Sequence, residues 1–332
     1  MIPPSASAGR AAYYVVGITN KVDGSAPPPL DLSTDATAGL ELLAQSTHDG
    51  VLLVECRSSD AEQVIIKELE DLSARSEAEV YVCAPCRIPI ATWTRNRLLA
   101  DDRVAQLFNE TGLSIFPDAV NKEDISILFK LATDQIEHAH QVLAEKHKHI
   151  RVGHEQFAFK ELGSRGGLRF DLILEHDAKI NCILQSGPWI PLVKRLLNIA
   201  DDTEVPCLVS VVYSLPGAES QSWHADGVPA DPSYAVCIFM PLIDLDGDTG
   251  YTQFWPGTHK SKALLGFGPA AEVCGATFDG ILATGDILMY DYGTLHRGIG
   301  NNSALRRPVL QAVYHVPSWK DTKNYGNISL FD

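Results

Sequence analysis

Residues 221–226 read Gln-Ser-Trp-His-Ala-Asp, and a second histidine, His296, follows seventy positions after Asp226. His224 and Asp226 are two residues apart, so on an extended strand their side chains point to the same side. His296 comes shortly after a strand-like run at 285–290, which allows the two segments to lie on neighbouring strands near one mouth of a barrel. This spacing predicts that the three side chains meet at one metal ion.

Two imidazoles and one carboxylate form a ligand set that holds one face of an Fe(II) ion and leaves the opposite positions open. A His-x-Asp pair alone is a weak signal in a chain with 11 histidines and 42 acidic residues. The arginine downstream strengthens it. Arg307 opens an apolar strand at 308–314, so its guanidinium would project beside the metal and hold a carboxylate through two parallel hydrogen bonds. The residues therefore indicate adjoining sites for a metal and a carboxylate.

Short apolar, β-rich runs begin after Asp202 and continue to residue 316. Turn residues separate these runs at intervals typical of an all-β sandwich or barrel. The predicted strands are 207–215, 234–243, 252–255, 280–290 and 309–316. The C-terminal third of the chain is therefore predicted to form a β-barrel.

Asn121-Lys-Glu-Asp124 has the pattern of a helix start, with Asn121 as the N-cap and an acid at the third helical position. Apolar residues then recur at spacings of three and four, which predicts a long helix that covers a sheet. The predicted apolar stripe consists of Ile125, Leu128, Phe129, Ala132, Ile136, Ala139 and Leu143. Residues 189–199 predict a second, shorter helix with Pro191 in its first turn.

The beginning of the chain differs in texture from the rest. Proline and glycine punctuate residues 1–35, which predicts an extended or loosely ordered lead-in. The pattern then predicts, in order, a strand at 51–56, an amphipathic helix at 61–75 and a strand at 79–83. Together these three elements indicate one βαβ-like unit.

The bulk composition excludes several functional classes. With 332 residues and 45% hydrophobic content, the chain can bury the core of one large domain, or of one domain with a smaller partner. Its formal net charge of −15 opposes attraction to nucleic acid and to anionic lipid, so we expect neither as a partner. No apolar run approaches the roughly 20 residues that span a bilayer. Seven cysteines in a chain of this length suit a reducing compartment, and we expect the protein in the cytoplasm.

The combined motifs resemble the phytanoyl-CoA dioxygenase-like branch of the Fe(II)/2-oxoglutarate-dependent oxygenases. The matching elements are Trp223-His224-Ala-Asp226, Thr252-Gln-Phe-Trp-Pro-Gly-Thr-His259, Gly285-Asp286, His296 and Arg307. The resemblance begins near Phe108, so it implies an oxygenase domain at 106–332. Residues 1–105 would then be an N-terminal extension, which could form a small α/β unit. The implied fold is mainly β with α (α+β), a double-stranded β-helix or cupin-like jelly roll with helices packed on one sheet.

Carried over position by position, the resemblance implies that the catalytic iron ligands are His224, Asp226 and His296. Arg307, eleven residues after the distal histidine, would bind the far carboxylate of 2-oxoglutarate. The phase of its strand favours Arg307 over the neighbouring Arg306.

Other positions of the motif region also correspond to family sites. Gln221 and Thr252 resemble residues that contact the co-substrate in some members. Some relatives carry a serine two residues after the distal histidine to help hold the co-substrate, whereas this chain has Gly298, so another donor must serve there or none does. Thr258 replaces the serine of the family's Pro-Gly-Ser-His segment.

The implied function is oxidation of a C–H bond in a small-molecule metabolite, most simply hydroxylation. Fe(II) would be the cofactor, 2-oxoglutarate and O2 the co-substrates, and succinate and CO2 the co-products. Arg169 and Asp171, which follow a glycine-containing loop, are candidates for contact with a polar substrate. The same two residues would alternatively form a surface ion pair or anchor the loop.

Two alternatives come from other functional classes. A cupin-like protein that binds metal without catalysis, or acts as a sensor, would keep the same ligands. A redox protein could instead be built on Cys83-Ala-Pro-Cys86. The oligomeric state stays open.

Overall fold

The computed structural model describes residues 102–175, 178–260, 268–273, 277–321 and 324–332, together with the backbone of five strands before residue 93. The chain divides into two compact units, one of residues 1–87 with 263–277 and the other of residues 88–262 with 278–332. The boundary near residue 105 that the resemblance implies stays a prediction.

The first unit contains one antiparallel sheet. Its strands are β1 (Ala12–Asn20), β2 (Leu40–His48), β3 (Val51–Ser58) and β4 (Ala78–Cys83), in the order β2-β3-β1-β4. Strands β3 and β4 both run antiparallel to β1, so they are parallel to each other with β1 between them.

This arrangement tests the expectations for the start of the chain. The strands predicted at 51–56 and 79–83 are confirmed, while the helix predicted at 61–75 and Cys86 lie outside the described residues. The expectation of an extended or loosely ordered lead-in over residues 1–35 did not include β1, a strand that pairs on both sides. The continuous apolar run Tyr-Tyr-Val-Val-Gly-Ile, which the proline-rich surroundings obscured, carried that signal.

The larger unit is a jelly roll with helices. Its helices are α1 (Asp102–Thr111), α2 (Lys122–Lys146), α3 (Ala178–Ser186) and α4 (Ile190–Leu196), and α5 (Gly268–Val273) belongs to the first unit. Its strands are β5 (Ala91–Thr92), β6 (Leu113–Phe116), β7 (Leu162–Ser164), β8 (Arg169–Ile173), β9 (Cys207–Ser214), β10 (Ala235–Pro241), β11 (Thr252–Phe254), β12 (Phe278–Gly280), β13 (Ile287–Asp291), β14 (His296–Gly298) and β15 (Arg307–His315). None of the described helices has the length and apolarity needed to cross a bilayer.

Two sheets of very different width build the jelly roll. The wide sheet has the order β5-β6-β13-β10-β15-β9-β8-β7, and the narrow one has the order β12-β11-β14. All neighbouring strands are antiparallel except β5 and β6. This confirms the predicted mainly β, cupin-like fold.

Alternate residues of the wide sheet enter two separate cores. On β15, Leu310 and Ala312 pack in the core shared with the helices, whereas Val309 and Val313 pack in the core between the sheets. This alternation follows from the two-residue period of a strand. It confirms that helices cover one face of the sheet, and it leaves the other face to line the interior.

Helix α2 begins as predicted. The side chain of its N-cap, Asn121, accepts a hydrogen bond from the backbone N–H of Asp124 at 2.9 Å. The predicted apolar stripe is buried apart from Phe129, which is 39% exposed. Phe129 lies next to Leu128 in the sequence, and one helical step of 100° carries it towards solvent. The helix predicted at 189–199 is shorter, because it begins at Ile190 and ends at Leu196.

The run predicted as one strand at 280–290 is two strands, β12 and β13, separated by a turn. Gly285 in this turn has a φ of +97°, a backbone conformation that favours glycine. Its carbonyl accepts hydrogen bonds from the backbone N–H groups of Ala119 and Val120 at 2.8 and 3.0 Å. The turn therefore joins β13 to the segment that precedes α2.

A second turn, at 291–294, connects β13 to β14. The buried carboxylate of Asp291 accepts a hydrogen bond from the backbone N–H of Gly293 at 2.9 Å and one from the hydroxyl of Ser233. Burial raises the pKa of Asp291 to about 6, and these hydrogen bonds oppose the shift. The carboxylate that fixes the turn therefore destabilises the folded protein when it is charged.

We expect Asp291→Asn to remove a pH dependence of stability. Between pH 4 and 6 the folded protein keeps a proton on Asp291 that the unfolded chain has lost, so the free energy of unfolding falls as pH rises, by about 3 kcal/mol in total. An amide can keep both hydrogen bonds without the charge. Urea unfolding at pH 4 to 8 should show the variant gaining stability relative to the parent as pH rises. The exposed Asp202→Asn is the control, and a stability difference between variant and parent that stays constant from pH 4 to 8 would contradict the expectation.

Candidate metal centre

A backbone bridge between two segments forms the centre. The N–H of His224 donates to the carbonyl of His296 at 3.0 Å, and the N–H of His296 donates to the carbonyl of His224 at 2.8 Å. Asp226 lies two residues beyond His224 on the same extended segment. The Nε2 atoms of the two histidines lie 4.0 and 3.7 Å from its carboxylate oxygens. One donor atom from each of the three residues lies within 4.8 Å of the other two, so the group has the size to hold a metal ion.

Backbone carbonyls orient both imidazoles. Nδ1 of His224 lies 2.9 Å from the carbonyl oxygen of Ser222, and Nδ1 of His296 lies 3.0 Å from that of Thr294. A proton on Nδ1 satisfies each carbonyl, so the lone pair of Nε2 is free for a metal. Burial lowers the pKa of His296 to about 4, although the Asp226 carboxylate opposes this shift. His296 is therefore a neutral ligand at ordinary pH.

A tyrosine holds the carboxylate. The buried hydroxyl of Tyr290 donates to Oδ2 of Asp226 at 2.7 Å. The Tyr290 ring also contacts the ring of His296, with centroids 5.2 Å apart, and Phe254 contacts both rings. Tyr290 thus fixes one ligand by a hydrogen bond and packs beside another.

The Thr258 hydroxyl supports the strand that carries His296. It donates to the carbonyl of Trp255 at 2.7 Å and accepts the N–H of Leu295 at 2.9 Å. A serine at this position could make the same two hydrogen bonds, because both residue types carry a hydroxyl group. The extra methyl group of Thr258 fits in a buried site. The departure from Pro-Gly-Ser-His leaves this support intact.

Two buried arginines lie side by side behind the centre. Arg169 on β8 and Arg307 on β15 are both register partners of Ser214 on β9, so they lie in one row of the wide sheet and point to the same face. We call this pair the arginine row. Each donates to the carbonyl of Ile299 at 3.1 Å, and each keeps a buried Nε with no hydrogen-bond partner. Neither guanidinium contacts a carboxylate within the described part of the chain.

The charges of the two arginines are poorly compensated. Burial lowers the pKa of Arg307 to about 9, and the charge of Arg169 lowers it too; burial also lowers the pKa of Arg169 to about 10. Removing a charge from water without a partner is unfavourable. The pair is therefore arranged to receive an anion. Arg306 is not part of it, because its guanidinium lies 4.0 Å from Glu137 on the helix side of the sheet.

Gly298 leaves room for these groups. A Cβ atom at Gly298 would lie 2.6 Å from Nη1 of Arg169 and 2.7 Å from Oε1 of Gln221. The Gln221 side chain accepts the N–H of Gly298 at 3.1 Å, and Thr252 is the register partner of Gly298 on the adjacent strand. The space that a serine side chain would take is thus filled by a guanidinium and an amide.

The two residues expected at the substrate have different surroundings. Asp171 forms an ion pair with Arg165, with 3.0 Å between Oδ2 and Nη2, whereas Arg169 lies in the arginine row. The surface ion pair of Arg169 with Asp171, which the sequence left as an alternative, is therefore not formed; Asp171 pairs with Arg165 instead, and that pair is largely buried.

One cavity of about 870 Å³ connects all these groups. Its lining includes His224, Asp226, His296, Arg307, Gln221, Thr252, Arg169 and Asp171, which are all the site residues predicted from the sequence. Cavities of this size accommodate drug-sized molecules.

A family model, that of phytanoyl-CoA dioxygenase (PhyH), matches residues 94–309 and so covers more than half of the chain. The chain belongs to this family. Membership confirms the predicted enzyme class, a non-haem iron dioxygenase that uses 2-oxoglutarate. The His-Asp-His group is a donor set of the kind that this chemistry requires.

Three solved structures illustrate what this chain is similar to. The non-haem α-ketoglutarate-dependent epimerase SnoN from nogalamycin biosynthesis matches 64% of this chain and 80% of its own, with 16% identity and a TM-score of 0.45. AviO1 from Streptomyces viridochromogenes Tue57 matches 68% and 99%, with 15% identity and a TM-score of 0.48. EvdO2 from Micromonospora carbonacea var. aurantiaca, solved with 2-oxoglutarate, matches 68% and 95%, with 16% identity and a TM-score of 0.45. These similarities assign neither a substrate nor a reaction to the chain.

Sequence reasoning missed two contributions to the site. It placed Tyr290 in a strand without assigning it to the site. The two-residue period of a strand puts Tyr290 on the same face as Leu288, which packs between the sheets. It also did not foresee that Arg169 lies beside Arg307, because the pairing of β8 with β9 is not evident from the sequence.

We expect Tyr290→Phe to weaken metal binding. The substitution removes the hydrogen bond that orients Asp226 and keeps the packed ring, and loss of such a partner typically costs 10–100-fold in metal affinity or activity. Anaerobic titration with Fe(II), and with Co(II) as a spectroscopic probe, measures the affinity. Tyr251→Phe is a matched control, because its hydroxyl donates to Asp279 away from the centre. Equal affinities in both variants, with unchanged unfolding of the metal-free protein, would show that Tyr290 does not orient the carboxylate.

Proposed function

We propose that the protein is an Fe(II)- and 2-oxoglutarate-dependent dioxygenase that oxidises, most simply by hydroxylation, a C–H bond of a small-molecule metabolite, with release of succinate and CO2. The observation that supports this most strongly is the pair of buried guanidiniums without a carboxylate partner, in the same cavity as the His-Asp-His group.

In this proposal His224, Asp226 and His296 hold the iron, and the cavity side of the ion stays open for co-substrates. When bound, iron together with 2-oxoglutarate and O2 supplies the oxidant for a C–H bond. The protein contributes the positions of the reactants, and reaction outcome depends on which C–H bond the cavity places nearest.

Arg307 and Arg169 together bind the far carboxylate of 2-oxoglutarate. A carboxylate can accept several charge-assisted hydrogen bonds, and both arginines retain a buried Nε donor without a partner. Anion binding would also compensate the burial of two adjacent cations. We thus assign Arg169 to the co-substrate instead of the substrate. Arg169 serves as the hydrogen-bond donor that Gly298 cannot provide.

Gln221 and Thr252 complete the co-substrate contacts in the proposal. Both line the cavity beside Gly298, between the arginine row and the ligands. We keep the N-terminal residues 1–105 as a separate extension and the cytoplasm as the location. The substrate is a small molecule, with no role for nucleic acid or membrane.

Succinate formation tests the proposed function. Purified protein with Fe(II), 2-oxoglutarate, ascorbate and O2 should release succinate slowly alone and faster with a substrate-containing metabolite extract. His224→Ala should abolish both rates, because two ligands no longer retain the metal in its geometry. Metal and 2-oxoglutarate binding without any succinate would favour the alternative, a cupin-like binding or sensor protein without catalysis.

Replacing Arg307 or its sequence neighbour Arg306 by lysine tests the carboxylate site. Arg307→Lys keeps the charge but loses the forked donor, so we expect the Kd for 2-oxoglutarate to rise roughly 10–100-fold, as for loss of a hydrogen bond to a charged group. Arg306→Lys, one residue away and facing the helices, is the matched control with an unchanged Kd. Anaerobic calorimetric titration with the metal-loaded protein gives both values. A larger effect at residue 306 would assign the carboxylate to the other face of the sheet.

A further inference from the structure

The cavity also has a polar wall, to which β8, β9 and β15 contribute. Asp171 lies two residues after Arg169 on β8, so both side chains point to the same face of the strand, towards the interior. Ser210, Gln311, Asn324 and Tyr325 line the same cavity. This wall holds none of the proposed iron ligands and none of the proposed co-substrate contacts.

Asp171 keeps an unused acceptor in this wall. Its side chain is only 8% exposed, and its Oδ2 accepts the Arg165 guanidinium. Its Oδ1 is buried and accepts no hydrogen bond from the described residues, while the hydroxyl of Tyr325 interacts with the same carboxylate. A buried carboxylate oxygen without a donor is unfavourable, so the wall is suited to a ligand that supplies one.

The charge around this acceptor disfavours anionic ligands. Arg165 is already paired with Asp171, and its guanidinium also lies over the Tyr325 ring, 5.4 Å from the centroid. Apart from Arg165 and the arginine row, the described lining contains no lysine or arginine, whereas Asp321 adds negative charge. Burial raises the pKa of Tyr325, so its phenol stays neutral and offers no charge of its own.

An apolar recess adjoins the wall. A smaller cavity of about 310 Å³ shares Asp226, Tyr292, Asp321 and Asn324 with the large one. Tyr234 and Trp319 also line it, and the Tyr292 ring contacts both of them, with centroids 6.4 and 5.5 Å apart. A ring attached to the donor group could therefore rest on these aromatic side chains, beside the proposed iron ligand Asp226.

We propose that the substrate is an uncharged or cationic molecule that donates a hydrogen bond from a hydroxyl or protonated amine group to Oδ1 of Asp171, with an apolar ring in the adjoining recess. This inference rests on the proposed function, because it assumes that the arginine row holds the co-substrate. Asp171 then determines substrate class by accepting donors and repelling carboxylates.

Three probes with one ring and different head groups test the inference. Cyclohexanol, cyclohexylamine and cyclohexanecarboxylate are titrated into the full chain loaded with Zn(II) and saturating 2-oxoglutarate, and ligand-observed NMR gives each Kd. Probes of this size are expected to bind with a Kd of about 1 mM. The amine and the alcohol should bind at least tenfold more tightly than the carboxylate.

Matched variants locate the effect. Asp171→Asn keeps the shape but loses the charge, so amine binding should weaken about tenfold and carboxylate binding should strengthen. Glu219→Gln removes a charge from an exposed residue of the same cavity and should leave all three Kd values within twofold. Equal losses in the two variants would indicate general electrostatics and overturn the inference.

The binding of 2-oxoglutarate, measured in the same samples, separates the two proposals. Normal 2-oxoglutarate binding with preferred binding of the carboxylate probe, or with no binding of the alcohol and amine, would overturn the substrate class and leave the proposed function standing. Loss of 2-oxoglutarate binding in the parent protein would instead overturn the proposed function. If Asp171→Asn unfolds, Asp171→Glu provides the second variant, and its longer side chain should weaken the alcohol and the amine alike.

Discussion

The site depends on the pair of backbone hydrogen bonds between His224 and His296. These bonds join a short extended segment to β14, and they bring together residues that are far apart in the sequence. Because the bonds involve backbone atoms, they fix where each imidazole starts, and carbonyl groups two residues earlier fix how each ring turns. Asp226 then needs only the two-residue step of an extended chain to reach the same point.

Charge divides the cavity into three parts. The arginine row carries uncompensated positive charge, the His-Asp-His group forms a second part, and the wall around Asp171, where Arg165 is already paired, forms the third. A dianion with a chelating end and a far carboxylate suits the first two parts. A substrate that must stay separate from this dianion is best distinguished by lacking negative charge. In the proposed function, this division would separate the co-substrate from the substrate.

Much of this arrangement could be predicted from the sequence, and the missing parts share a physical reason. The period of strands and helices, together with motif spacing, predicted the jelly roll, the N-cap at Asn121 and the meeting of His224, Asp226 and His296, because these signals are local or depend on spacing along the chain. The position of Tyr290 at Asp226 and that of Arg169 beside Arg307 depend on which strands become neighbours, and pairing between β8 and β9 is not encoded in the periodicity of either strand. The exposed Phe129 was wrongly assigned to the buried stripe of α2, because an apolar residue next to such a stripe resembles a part of it. The strand at 12–20 was missed because prolines on both sides outweighed its short apolar run.

The close approach of Arg169 to Gly298 links two positions that are 129 residues apart. A side chain at 298 would displace the ends of Arg169 and Gln221 from their present positions. A serine at 298 would therefore be accommodated most easily with a shorter residue at 169. Homologous sequences should accordingly show these two sites varying together, with large basic residues at one matched by glycine at the other, and the pair would divide the family by the way its members anchor the keto acid.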